Sequence, residues 1–275
     1  MTRILTIFII LFLTTQSFGQ TNKKIVKNKK DDISQKIAEI NTLLKYYGTL
    51  TPFSDNDNRF GLIDSIGNGI TTRLLKILND KRIINYPIET LINQDEISIS
   101  KSNDNKIFFF SIDEKTGGSY KTSKTIIHYR PSNGSVKAEL FGRELSETFA
   151  TSTYGEVFLL DSLSQKYFVI GGVRTCNTCY ASLAITIKLD SSEYQTDLIA
   201  QYDGRDDYLE VFEYDSIEKV FSYEYYAAVK DDSVYEGNNE NGQPQHIIKG
   251  KFKFINGAFF EIEKSELLDM KESQK

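Results

Sequence analysis

Lys251-Phe252-Lys253-Phe254-Ile255-Asn256-Gly257-Ala258-Phe259-Phe260-Glu261-Ile262-Glu263 (KFKFINGAFFEIE) decides the class of fold. Two runs rich in Phe and Ile flank the pair Asn256-Gly257. A two-residue hairpin turn that matches the twist of its strands needs positive φ at both central residues, and Asn-Gly tolerates this best. Residues 251–255 and 258–263 are therefore expected to pair as antiparallel strands.

The same period of two runs upstream. Val136, Ala138 and Leu140 alternate with Lys137 and Glu139. Leu183, Ile185, Ile187 and Leu189 alternate with Ser182, Ala184, Thr186 and Lys188. Phe221, Tyr223 and Tyr225 alternate with Ser222 and Glu224, and Asn133-Gly134 and Asp203-Gly204 supply further turn signals. About a dozen strands are expected from Ile97 onward, with no helical pattern between them. That succession implies an antiparallel sandwich, barrel or partial propeller and excludes a doubly wound parallel sheet.

The N-terminal third has a helical period instead. Asp31 or Asp32 can cap a helix carrying Ile33, Ile37, Ile40, Leu44 and Tyr47 on one face, with Gly48 as its stop. Asn68 can cap a second helix carrying Ile70, Leu74, Ile77 and Leu78. Pro87 suits the first turn of a short third helix through Ile92. The expected class is α+β and β-dominated, with N-terminal helices (31–95) packed on an antiparallel β domain (96–264). A charged C-terminal tail (265–275) is expected to fray, with Leu267 and Leu268 able to dock a short helix.

Residues 1–19 have the three parts of a cleavable export signal. Arg3 is the basic start, Ile4–Leu13 the apolar run, and Ser17-Phe18-Gly19 the small-residue cleavage site. The run is about ten residues, against the roughly 20 that a membrane span needs. An exported chain beginning near Gln20, periplasmic or extracellular, follows as an expectation. Its first stretch (20–30) is a lysine-rich tail whose Lys23, Lys24, Lys27, Lys29 and Lys30 would make at most a weak contact with an anionic membrane surface. The chain has 40% hydrophobic and 26% charged residues and a net charge of -5, which argues against nucleic-acid binding.

The two cysteines, Cys176 and Cys179, stand in Arg174-Thr175-Cys176-Asn177-Thr178-Cys179-Tyr180. A redox pair needs a helix after it, whose N-terminus lowers the thiol pKa. Tyr180 to Leu189 instead alternates and carries Ile185, Thr186 and Ile187, which favour a strand. The expected state is a local disulfide across a hairpin tip, compatible with the spacing of turn residues and with an oxidising compartment. So short a loop gains only about 2 kcal/mol from closure, so the bridge would fix one loop and no more. With two histidines in the chain, no metal site is expected, and no cofactor motif stands out.

Tyr208, Tyr214, Tyr223 and Tyr225 fall in two neighbouring strands. Together with His128, which lies near another strand end, they are the candidate ligand face. Cross-strand aromatic pairing accounts for such a cluster without any ligand, and the absence of Trp weakens a sugar-stacking role. No Gly-x-Ser-x-Gly elbow gives His128 a nucleophile. The residues assign no activity: a binding or interaction module is the first expectation, a hydrolase of envelope or extracellular polymer the second, and a thiol–disulfide protein the third.

Three segments resemble a group of uncharacterised exported bacterial proteins. The first is Asp104-Asn105-Lys106-Ile107-Phe108-Phe109-Phe110-Ser111-Ile112-Asp113 with the following Thr116-Gly117-Gly118-Ser119. The second is Lys166-Tyr167-Phe168-Val169-Ile170-Gly171-Gly172, ahead of the cysteines. The third is the closing Gly250–Phe259. The resemblance covers the C-terminal two thirds and implies export and a β-rich fold. It implies no activity.

Overall fold

The structure, a computed structural model, describes residues 29–54, 57–143, 145–175, 180–203, 208–228 and 245–269. Among them are twelve strands in three antiparallel four-stranded sheets, each a simple meander. The first sheet is β1 (Ile97–Lys101), β2 (Ile107–Asp113), β3 (Ser123–Tyr129) and β4 (Lys137–Leu140). The second is β5 (Thr153–Asp161), β6 (Lys166–Arg174), β7 (Tyr180–Leu189) and β8 (Tyr194–Asp203). The third is β9 (Tyr208–Asp215), β10 (Val220–Ala228), β11 (Gln245–Ile255) and β12 (Ala258–Asp269).

No sheet closes on itself, so the barrel alternative is wrong. The layers stack instead, because the middle strands are apolar on both faces. In β2, Phe108, Phe110 and Ile112 face the N-terminal helices, while Ile107 and Phe109 face the second sheet. In β6, Tyr167 and Val169 face back to the first sheet, while Phe168 and Ile170 face the third. Successive strand residues point to opposite faces, so these unbroken apolar runs read as strands buried on two sides. Only the third sheet has a solvent face, and there the expected alternation holds. Phe252 and Phe254 turn inward, while Lys251 and Lys253 reach Glu263 (2.7 Å) and Glu218 (3.8 Å) on the outside.

The opening hairpin forms as its sequence dictates. Ile255 pairs with Ala258 across the turn, with φ of 51° at Asn256 and 86° at Gly257. β12 then continues to Asp269 against β11. Ser265–Asp269 is therefore strand, where a frayed tail or a docked helix was expected. Eleven residues of β11 provide a partner for the whole length.

The helices are α1 (Lys29–Thr49), α2 (Arg59–Leu78), α3 (Ile88–Leu91) and, between the first two sheets, α4 (Glu147–Thr151), with a 3₁₀ turn at Lys81–Asn85. The expected stripe of α1 is buried from Ile33 to Tyr47. α2 begins at Arg59, and Asn68 lies in its middle, accepting a bond from Lys124 Nζ (3.0 Å). Ile63 and Ile66 extend the apolar stripe upstream past Asn68. Gly67 also leaves room for the Tyr47 ring of α1, whose hydroxyl would lie 3.4 Å from an added Cβ. Asp80 caps the 3₁₀ turn by accepting from Arg82 N (3.0 Å), and the Arg82 guanidinium holds its carboxyl down at about 2.

The crossover from first to second sheet turns at Gly142, where φ is 78° and an added Cβ would stand 2.7 Å from the Phe149 carbonyl carbon. Gly134 has a similar φ of 75° with nothing within 4 Å. Gly142→Ala combines left-handed strain with a backbone clash and should cost about 3 kcal/mol. Gly134→Ala has the strain alone and should cost about 1 kcal/mol. Urea denaturation of the two variants checks this, and equal losses would show that the crossover is not tightly packed.

Candidate functional site

The interface between the first two sheets changes character along its length. It is filled by Tyr129 and Tyr167 near the hairpin turns and by Phe109 and Tyr154 farther along. The Phe109 ring stacks on Tyr154 (5.0 Å) and meets Phe141 edge-on (5.2 Å). Burial pushes the Tyr154 and Tyr167 hydroxyls well above the usual phenol range. Two residues onward the same face carries Ser111 on β2 beside Thr125 on β3, and then Ser123. Thr125 Oγ1 donates to Ser152 O (2.7 Å), so at 2.8 Å it must accept from Ser111. Thr153 Oγ1 donates to Ser123 Oγ (2.9 Å).

Beyond these hydroxyls the sheets part into a cleft of about 750 Å³. Ser98, Ser111, Thr122, Ser123 and Thr153 supply its hydroxyls, and Asp95, Glu96, Asp113, Lys121 and Arg174 its charges. Its back is closed where Lys121 N donates to Arg174 O (2.9 Å), an isolated bridge between the β2–β3 connection and the end of β6. Tyr180 lines it too, half exposed at the start of β7.

Most of the carboxylate charge is already engaged. Glu96 pairs with Lys115 (2.9 Å), a lysine that also donates to Leu50 O (3.1 Å) and lies over the Tyr47 ring. Asp113 Oδ1 accepts from Lys115 N (2.8 Å). Among the described residues the Asp95 carboxylate and the Lys121 ammonium have no ion pair, and the buried Thr122 Oγ1 has no hydrogen-bond partner. No group of three or more potential metal ligands occurs among the described residues.

The expected ligand face is not one surface. Tyr214 packs between Phe168 (4.6 Å) and Phe158 (5.0 Å) in the core of the second and third sheets, and burial pushes its hydroxyl up to about 12. Tyr223 and Tyr225 share that inner face, with Tyr225 against Tyr202 (5.2 Å). They border a small cleft of about 180 Å³. The side chain of Tyr208 lies outside the described residues. His128 is in another sheet altogether, buried on the helix-facing side of β3 beside the Phe108 ring (5.7 Å). It lines neither cleft.

Cys176 and Cys179 lie outside the described residues, as do residues 1–28 with the expected signal and Lys23, Lys24 and Lys27. The side chains of Lys29 and Lys30 do as well. The strands that flank the cysteines are described. Arg174 of β6 pairs with Tyr180 of β7 in antiparallel register, and β7 continues as strand to Leu189. The connection thus joins a hairpin, and the helix that a redox pair requires is replaced by a strand.

The cleft residues were missed in the sequence because hydroxyls in strands read as ordinary solvent-facing positions. A signal was present: Ser98 and Ser100 alternate in β1, and Ser111 breaks an otherwise apolar β2. Comparison of the sequence with protein-family models and with curated proteins finds no match.

Burial, and then the Arg130 charge, push the His128 imidazole down to about 4, against a weaker opposing bond to the Lys137 backbone. Its Nδ1 has no partner. An unfolded histidine titrates near 6.5. Between those values the unfolded chain binds the extra proton, so stability falls as pH falls through this window and is unaffected above it. The loss should total about 3 kcal/mol. His128→Phe should flatten stability over that window, measured by urea melts from pH 7 to 4; an unchanged slope would assign it to other groups.

Proposed function

We propose that this protein is an exported binding module and that the cleft between its first two sheets is the ligand site. The observation that carries this is Thr122 Oγ1, a buried hydroxyl without a partner among the described residues in the wall of that cleft. A buried polar group left unsatisfied costs about 1–3 kcal/mol, and a polar ligand would recover it. The surrounding hydroxyls each donate and accept, which suits a ligand bearing amides or hydroxyls. A concave pocket with convergent polar groups is the usual form of a binding site.

A hydrolase has less support. Glu96 and Asp113 are tied to Lys115. His128 is away from the cleft, so among the described side chains no histidine is there to activate a serine or a water. Export remains part of the proposal on the strength of residues 1–19.

Ser98 is exposed and lines the cleft, so Ser98→Trp should fill the space without touching a core. Ligand-observed NMR with small amides, polyols and amino-acid derivatives should find binders to the unaltered chain. Ser98→Trp should weaken them at least about tenfold with no change in melting temperature. Binders that persist in the variant, or none at all, would refute the site.

A further inference from the structure

We propose that the space between β4 and β8, outer strands of the first two sheets, is a second binding site and takes a zwitterion, a free amino acid or a dipeptide. The strands stand there around a cleft of about 510 Å³, a size usual for small-molecule sites. It shares no lining residue with the hydroxyl-lined cleft and does not depend on it.

Register sets what faces this space. Tyr129 belongs to the core between the first two sheets, and Lys137 and Glu139 share its face, opposite Tyr129 and Ile127. From the other side come Tyr194 and Thr196, opposite Leu189 and Ile187 of the same core. The Tyr194 ring meets Tyr129 edge-on (5.1 Å). Leu145, half exposed, adds an apolar wall.

Lys137, Glu139, Arg143 and Glu193 also line the cleft, and among the described residues none of them forms an ion pair. Two cations and two anions leave the cleft without net charge. An amine or a carboxylate alone therefore meets repulsion as well as attraction, whereas a ligand carrying both can meet two attractions. The ends are distinguishable. The Tyr129 hydroxyl donates to Glu139 Oε1 (3.0 Å). Burial first, then the Glu139 charge, and more weakly Tyr194 and Glu193, push this phenol well above its usual range. One O–H thus lies near two carboxylates, one from β4 and one from the turn into β8. An ammonium brings three N–H donors and can satisfy both. Arg143 follows Gly142, whose positive φ and closeness to the Phe149 backbone fix where the arginine leaves the chain. Its planar fork suits bidentate recognition of a carboxylate. Thr196 Oγ1, buried and without a partner among the described residues, is free to bond the ligand.

The test titrates the full chain with leucine and with leucyl-leucine, followed by protein-observed NMR. At least one should bind. Isoamylamine and isocaproate, which are leucine without its carboxylate and without its amine, should bind at least about tenfold more weakly than leucine if leucine binds, and than leucyl-leucine if only that does. Leucine blocked at both ends lacks both charges and should not bind here. Glu139→Gln keeps an acceptor for Tyr129 and removes the charge, and Arg143→Gln changes an exposed side chain; each should weaken the zwitterion at least about tenfold with the melting temperature unchanged for Arg143→Gln. Ser98→Trp should leave this binding intact. The proposal is overturned if neither zwitterion binds, if either half-ligand binds as well as the zwitterion, or if both charge variants bind as the unaltered chain does. Zwitterion binding that disappears in Ser98→Trp belongs to the first cleft, which overturns this proposal and leaves that one standing.

Discussion

The stack depends on burying the central strands of its first two sheets on both faces. A sheet with one wet face can be polar at every second residue, but β2 and β6 have no wet face. Their sequences, Ile107–Ile112 and Tyr167–Val173, must supply apolar or hydrogen-bonded side chains at every position. Large rings do most of this. Phe168 alone contacts Tyr214, Phe221 and Phe259 at 4.6, 5.4 and 5.1 Å between centroids. Aromatic pairs at such spacing add to the area they bury. Each phenol at these interfaces also needs an acceptor, and Tyr154 and Tyr167 find them at Phe149 O and Asp104.

The same constraint explains where the cleft is. Packed sheets stand about 10 Å apart, a gap that large side chains from both faces fill. At Ser111, Thr125, Ser123 and Thr153 the side chains are short. They satisfy one another in pairs, but they cannot fill the gap, and the layer opens. Lys121 and Arg174 close the back by bonding main chain to main chain, which needs no side-chain volume.

How much of this could be read from the sequence follows from the range of the interactions involved. Asn256-Gly257, the alternation of β7 and the stripe of α1 are local: each depends on neighbours within a few residues, and each forms where expected. The start of α2 was missed because Gly61, Gly67 and Gly69 look like breakers, and only contact with Tyr47 of α1 explains Gly67. The end of β12 was missed because its charges suggested a tail, and a partner across the sheet decides otherwise. Tyr214, Tyr223 and Tyr225 share a face of the third sheet, but which face of that sheet is buried depends on β6, nearly fifty residues upstream. The cleft is the extreme case. It is lined from six separate strands and two connections, and at Gly172 its wall is backbone, which carries no side chain to read.

Meander topology then separates two ends of the molecule. Odd-to-even connections are short turns and share one end. Lys166 Nζ to Gly257 O (3.0 Å), Lys219 Nζ to Leu160 O (2.7 Å) and Tyr167 to Asp104 (2.8 Å) tie turns of all three sheets together there. The remaining connections, including both crossovers between sheets, must leave from the opposite end, where the cleft opens. The turns of the first end have two to seven residues, whereas three connections of the other, 114–122, 141–152 and 229–244, are longer and free to vary on a rigid scaffold. The aromatic end therefore fixes the spacing of the sheets, and the hydroxyl-lined end is left to vary around a cleft whose shape that spacing sets. A change at Phe109 or Tyr154 would reach the cleft through the distance between sheets, without any contact to what binds there.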